Sequence, residues 1–354
     1  MSFWAGRRVL LTGHTGFKGA WLALWLHDLG ADVTGFAGPP PSDPNLFELA
    51  SVAQCVRDLR GDVRDPGAVR QAVVRSRPEV VFHLAAQALV RPSYEEPVAT
   101  WDTNVMGTLH LLEAIRTAAP EASILVATSD KCYANDGSGR AFSEEDPLGG
   151  SDPYSASKAA QELVAASHRD AYGLRIATAR AGNVIGGGDW ARDRLVPDFV
   201  RAASKGVPLS VRSPRAIRPW QHVLAALHGY LCLAERLAEV GDCAEPWNFG
   251  PPHDDNVPVM SVMERLRSAW PQPIQLAARS PARAPEPRPL RLNSTKARDR
   301  LGWSPGISLA TAIEATARWH LEVAAGASPR HVSLEQLHRL GRLATNPERK
   351  AADG

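Results

Sequence analysis

Three things are scarce in this chain: cysteine, surplus charge of either sign, and long apolar runs. Its 354 residues carry 40 Lys and Arg against 38 Asp and Glu, a formal charge of +2. Wrapping nucleic acid or lying on an anionic membrane needs concentrated positive charge, so no nucleic acid and no membrane is expected as a partner. The four cysteines, Cys55, Cys132, Cys232 and Cys243, show no C-x-x-C and no Cys/His ligand spacing, so no metal centre is expected. The opening MSFWAGRRVLLTG runs straight into a strand-like segment without a secretory apolar stretch, and a reducing cytoplasm is expected. No window reaches the roughly 20 uninterrupted apolar residues of a membrane-spanning helix. The 44% hydrophobic content is therefore assigned to a core, and the length suits two domains or one large α/β unit with an appended part.

The first half alternates short apolar runs with segments of helical period, the pattern of a parallel sheet with helices on both faces. Strands are expected at 8–11, 31–36, 56–59, 80–84, 123–128 and 175–180. Helices fit between them at 21–29, 65–76, 98–118 and 154–172, and Pro39–Pro44 reads as a loop. Beyond about residue 180 the alternation gives way to GNVIGGGDWARDR and to widely separated helices at 222–237 and 308–320, which suits a substrate lobe. The Pro-, Ala- and Arg-rich stretch 270–291 reads as an exposed excursion, and the last 25 or so residues are polar and expected to fray.

GHTGFKG directly follows the first strand and opens the first helix, which puts Gly13, His14, Thr15, Gly16, Phe17 and Gly19 at a dinucleotide-binding turn. Glycine is needed there for the turn, for close approach to a pyrophosphate and for helix–strand packing, and the helix N-terminus offers N–H groups to the anion. Asp62 and Val63 (GDVRD) follow the third strand, where a carboxylate can accept from an adenine amino group; Asp62 could equally cap the next helix. Leu84, Ala85 and Ala86 end the fourth strand and leave room for a cofactor ribose, or simply pack. Asn104 can hydrogen-bond backbone beside the cofactor. VTGFAGPP, after strand two, holds no acid for an NAD ribose and no Arg for a 2′-phosphate, so NAD is preferred only narrowly over NADP.

Tyr154 and Lys158 (YSASK) stand one helical turn apart on one face. An ammonium beside the phenol would lower it from ~10 and let Tyr154 act as base for a sugar or alcohol hydroxyl. Thr128, Ser129, Asp130 and Lys131 follow at the end of strand five. Alcohol oxidation needs only a hydroxyl donor and the tyrosine, so the extra acid and base suggest further proton transfers, as in an elimination; the alternative is an exposed Asp130–Lys131 ion pair.

Taken together, GHTGFKG, HLAAQALVRPSY, TNVMGTLHLLEA, TSDKCYAND, PYSASK, GNVIGGGDWARDRLVPD, RPWQHV, WNFGP and LGWSP resemble the extended short-chain dehydrogenases, and among them the CDP-glucose 4,6-dehydratases, over about nine-tenths of the chain. The resemblance implies a Rossmann-type doubly wound parallel sheet with a smaller C-terminal substrate-binding lobe. NAD-binding domain, nucleotide-sugar lobe and tail would span 1–180 (with later segments returning), 181–330 and 331–354. It also implies NAD as cofactor, CDP-glucose as substrate and a homodimer or dimer of dimers. Tyr154 would take the 4-hydroxyl proton with Lys158 lowering its pKa and Thr128 bonding the same oxygen. Asp130 would protonate the departing 6-hydroxyl, and Lys131 would be the C5 base. Gln87, Arg91, Ser93, Tyr94, Asn183, Arg194, Arg218 and His222 would line the substrate site, while Arg215 suits the surface equally well. Competing expectations are another nucleotide-sugar dehydratase, a 4-epimerase, or an idle NAD-binding protein.

Overall fold

The computed structural model describes residues 2–277 and 288–345. In chain order its strands are β1 (Arg8–Thr12), β2 (Asp32–Ala37), β3 (Arg57–Arg60), β4 (Val80–His83), β5 (Ser123–Ala127), β6 (Ala141–Phe142), β7 (Ile176–Ala181), β8 (Asn183–Ile185), β9 (Ile217–His222), β10 (Pro246–Phe249), β11 (Asn256–Pro258) and β12 (Arg291–Leu292). Its α-helices are α1 (Phe17–Asp28), α2 (Leu46–Leu49), α3 (Pro66–Ser76), α4 (Val90–Glu95), α5 (Pro97–Trp101), α6 (Gly107–Ala118), α7 (Pro153–Tyr172), α8 (Leu195–Lys205), α9 (Val223–Glu239), α10 (Val259–Ser268), α11 (Thr295–Leu301), α12 (Leu309–Ala324) and α13 (Pro329–Thr345).

Seven strands form one parallel sheet in the order β10-β7-β5-β4-β1-β2-β3. Strands β4, β5 and β7 are buried at every residue, as expected where helices cover both faces and the strand reads as a continuous apolar run. One face carries Val69, Val73, Leu111 and Ile115 from α3 and α6. The other carries Trp21, Leu24, Leu227 and Tyr230 from α1 and α9. From β1 the chain winds outward in both directions, so the crevice between β1 and β4 opens at their carboxyl ends, the usual place for a ligand in such a sheet. Beyond β7, β8, β9 and β11 form a three-stranded sheet and β6 pairs with β12, so the region after 180 contributes both to a separate lobe and, through β10, to the main sheet.

Two elements differ from expectation. The helix expected over 98–118 is interrupted by a π-helical turn at Asp102–Met106. The C-terminal stretch is helical as far as Thr345: α13 buries Val332, Leu337 and Leu340 against α1, α9 and α12. Ser333 Oγ accepts from Trp319 Nε1 (2.9 Å), and Gln336 Nε2 donates to the Ala315 carbonyl (2.7 Å). Its apolar stripe is thin and set among polar residues, which is why composition alone suggests a tail. Of the 270–291 excursion, 278–287 lie outside the described residues, as do 346–354; its flanks are anchored by the Trp270 ring against Phe199 and by the β12–β6 pairing.

Candidate active site

A cleft of about 860 Å³ crosses the carboxyl ends of the main-sheet strands, from Gly38 and Asp62 past Gly13 and Lys18 to Ser129, Tyr154 and Arg194. The glycines shape its floor. Gly13 adopts φ +77, and a Cβ there would stand 2.7 Å from the Ala85 nitrogen; a Cβ on Gly19 would stand 2.1 Å from the Gly13 carbonyl oxygen. Both positions thus exclude side chains, one at the turn and one where α1 packs on it. Gly16 is the N-cap of α1 and no side chain caps that end, so an anion can take the amides. Phe17, Thr15, Leu84, Ala85, Ala86, Asp62 and Val63 line the same end. These residues fit an extended dinucleotide.

His14 does not face this cleft. Its Nε2 bonds Asp58 Oδ1 at 2.9 Å and its ring fills the space above Gly35, so the side chain ties β1 to β2 and β3. Burial lowers its pKa, against the pull of Asp58. Asp62 is held by Arg64, whose hydrogen bonds draw its carboxyl below the ordinary range; the cap of α3 is Asp65. Arg60 reaches over from β3 to the Gly38 carbonyl (3.2 Å) beyond β2, pairs with Asp58 and lies over the Phe47 ring. Asn104, in the π turn, accepts from the Gln87 N–H (2.9 Å) and donates to its carbonyl (3.0 Å) and to Ser157 Oγ (2.9 Å). It thereby fastens the end of β4 to α7; such turns recur where a side chain must be re-aimed.

At the other end Tyr154 and Lys158 rise from α7, whose start is set by the Asp152 cap and by Ser93 Oγ, which accepts from the Tyr154 N–H (3.1 Å). Burial raises the Tyr154 phenol to about 12, opposed by its hydrogen bond with Ser129 and by the Arg194 charge. Burial outweighs both, and the expected lowering by Lys158 is not among the main influences on the phenol. Burial and then Lys18 bring Lys158 down to about 7. Ser129 Oγ also donates to Asp130 Oδ1 (3.0 Å), and Asp130 is 2% exposed with Oδ2 unpartnered. An isolated buried carboxylate oxygen is costly unless something arrives to bond it. Lys131 lines the cleft beside it; burial lowers its pKa, Asp130 opposes, and Arg218 assists. The exposed Asp130–Lys131 ion pair is therefore not what forms.

Against this geometry the comparisons with known proteins can be set. A family model described as the NAD dependent epimerase/dehydratase family matches residues 9–250. The chain belongs to that family. It is 42% identical to the CDP-glucose 4,6-dehydratase of Salmonella typhimurium over 90% of this chain and 92% of that one. It is 28% identical to a dTDP-glucose 4,6-dehydratase of Xanthomonas campestris over 88% of this chain and 92% of that one. Among solved structures, a UDP-glucose 4-epimerase of Thermus thermophilus in complex with NAD aligns with a TM-score of 0.77 at 26% identity, covering 89% of this chain and 99% of that one.

Several residues expected in this family's site stand elsewhere. Thr128 lines the cleft, but its hydroxyl is spent on Glu162 Oε1 (2.5 Å), and Ser129, one residue on, is the hydroxyl that meets Tyr154. Ser93 is fully buried under α7, Tyr94 is 63% exposed on the outer face, and His222 is buried with Nδ1 accepting from the Leu224 N–H (3.2 Å) as the cap of α9; none of the three lines the cleft. Arg215 is exposed. Gln87, Arg91, Asn183, Arg194 and Arg218 do line it. Arg194 pairs with Asp189 (3.0 Å), and Arg91 with Asp193 (3.0 Å) at the mouth. Lys18, inside the glycine motif, was not singled out from the sequence. It reaches Tyr230 OH at 3.2 Å, and burial with Arg194 lowers it to about 8. The chain has six lysines, and Lys18, Lys131 and Lys158 all line this cleft.

Proposed function

We propose that the chain is a nucleotide-sugar 4,6-dehydratase that converts CDP-glucose to CDP-4-keto-6-deoxyglucose and water with NAD. The observation that carries the reading is Asp130: a buried carboxylate with one free oxygen, next to Lys131 and in hydrogen-bond series with Ser129 and Tyr154. A 4-epimerase needs only the hydroxyl and the tyrosine, and an idle binding protein would need neither. The choice of CDP over dTDP is supported by the 42% against 28% identity to the two kinds of dehydratase.

Gly13, Gly16, Phe17, Asp62, Ala85 and Lys158 would hold the cofactor. Bound NAD⁺ supplies the hydride acceptor that oxidises C4 and the donor that later reduces C6. Tyr154 takes the 4-hydroxyl proton as its own phenol proton passes through Ser129 to Asp130. Lys131, whose pKa desolvation lowers against the opposing pull of Asp130, removes the C5 proton made acidic by the new ketone. Asp130, protonated by the relay through Ser129, gives the proton to the 6-hydroxyl as it leaves as water, so the proton taken from the 4-hydroxyl is balanced by the one lost with the water. Arg194 and Arg218 offer guanidinium forks suited to a diphosphate. The division at residue 180 into an NAD-binding part and a sugar-nucleotide lobe belongs to the same proposal.

A homodimer is part of the reading. Val98 (72% exposed) and Trp101 on α5, Met106 beside them and Leu163 on α7 offer apolar area that a second copy would cover. A reducing cytoplasm is proposed because all four cysteines are free; no helix among the described residues is long and apolar enough to cross a membrane. The test is incubation with NAD⁺ and CDP-, dTDP- or UDP-glucose in turn, followed by the alkaline absorbance of 4-keto-6-deoxy products. The band is expected with CDP-glucose; its appearance only with another nucleotide, or with none, refutes the assignment.

A further inference from the structure

Behind Lys158 lies a closed chain of hydrogen bonds that none of the proposed proton steps uses. Lys158 Nζ donates to the Ala127 carbonyl (3.2 Å) and to Gln161 Oε1 (2.8 Å). Gln161 Nε2 donates to Thr108 Oγ1 (2.7 Å), and the Thr108 hydroxyl spends its own proton on the Asn104 carbonyl (2.7 Å). Thr108 can then only accept from His83 Nε2 (2.9 Å). The bonding thus assigns the His83 proton to Nε2, and its Nδ1 accepts from Thr12 Oγ1 (2.7 Å), which itself accepts from the Ala85 N–H (3.2 Å). Gln161, Thr108, His83 and Thr12 are all fully buried and Lys158 is 2% exposed.

Every donor and acceptor along this line has one direction. Turning the Gln161 amide over would set an NH₂ against the Lys158 amino group and an oxygen against a threonine whose proton is already committed. The amide orientation is therefore locked from the far end by His83 and Thr12. A neutral amide also cannot pass protons along as readily as a hydroxyl or imidazole can, so the chain serves to hold. Two of the three Lys158 N–H bonds are taken on the core side, which leaves the third for the cleft.

We infer that Gln161 is a positioning residue for Lys158: an uncharged acceptor, locked by the Thr108–His83 chain, that fixes where the amino group sits without giving it a counter-carboxylate at that bond. The charges around Lys158 agree. Lys18 from α1 pushes its protonation down along with burial, while Glu162 from its own helix and Cys132 from the turn after β5 push it up. His83 from β4 is held neutral, at about 3, and Tyr154 on α7 is a neutral phenol raised to about 12. Lys158 is thereby left able to change charge near 7. A carboxylate in place of the Gln161 amide would make the 2.8 Å bond an ion pair and hold Lys158 as a cation well above neutrality.

The inference rests on Lys158 working as proposed above, but its test does not need the substrate. With only six lysines in the chain, protein labelled with [ε-¹³C]lysine gives a resolvable set of resonances, and Lys158→Arg identifies the one of interest. In the parent protein that resonance is expected to titrate near 7. In Gln161→Glu it moves up by about one pH unit or more, and the alkaline limb of kcat with CDP-glucose moves with it. Gln161→Met keeps the low titration but loses the acceptor, and kcat falls about tenfold with KM nearly unchanged, as for a misplaced group. Identical Lys158 titration in the parent and Gln161→Glu overturns the inference, as does parental kcat in a folded Gln161→Met. A shift in titration with no turnover of CDP-glucose by the parent would refute the proposed activity and leave the role of Gln161 in place.

Discussion

Ser129 and Thr128 are adjacent, both hydroxylated and both at the end of β5, yet the backbone turns one toward Tyr154 and the other toward Glu162. The two roles separate by mutation. Ser129→Ala removes the hydroxyl that links Tyr154 to Asp130, and kcat is expected to fall by about 10²-fold with stability nearly unchanged. Thr128→Val instead takes a donor from a buried carboxylate and is expected to cost about 1–3 kcal/mol in denaturant unfolding, with the smaller effect on kcat. The reverse pattern would return the site to Thr128. Lys131 is tested at its own step: Lys131→Ala should abolish exchange of the C5 proton with solvent, and exchange at the parental rate would remove it as the base. The sequence identifies Tyr154, Lys158, Asp130 and Lys131 by type and spacing. It does not separate Ser129 from Thr128, nor keep Ser93, Tyr94 and His222 out of the cleft, because those outcomes depend on which way a side chain turns at a strand end or helix cap.

Elements whose pattern is local are the ones legible from the chain alone. β1, β4 and β5 are unbroken apolar runs, and α7 has its cap, its proline and its terminal Gly173 in view. α1 reads as an apolar run more than a stripe because Gly19 to Leu26 are all buried, one side under the sheet and the other under α9 and α13. The π turn has no signature in composition, since Asp102–Met106 differ from their neighbours only in how Asn104 must reach Gln87. α13 is the element most understated by its sequence, and it carries measurable stability. Leu340, 1% exposed, is expected to cost about 2–4 kcal/mol when cut to Ala. A change below about 0.5 kcal/mol in denaturant unfolding would mean that the helix does not pack as described.

For the whole molecule, buried histidines set an acid limit. His83, His222 and His320 are held neutral down to about 3 by burial, against an ordinary 6.5. Between those values the unfolded chain takes up protons that the folded chain refuses, so stability is lost as pH falls below about 6.5. Tm should decline steadily from pH 6.5 to 4, and a flat profile would contradict the burial of these rings. Near-balance of charge leaves no strong overall field, while the scarce lysines gather where desolvation lowers their pKa: three of six line one cleft. The proposed account is that this cleft moves hydrogen within one sugar, from C4 to C6, with water lost between. It is tested most directly with CDP-[4-²H]glucose and NAD⁺, by locating the label in the product. The account predicts deuterium on C6 of CDP-4-keto-6-deoxyglucose; label remaining on C4 of an epimerised sugar, or a 6-deoxy product with no deuterium at C6, would contradict it.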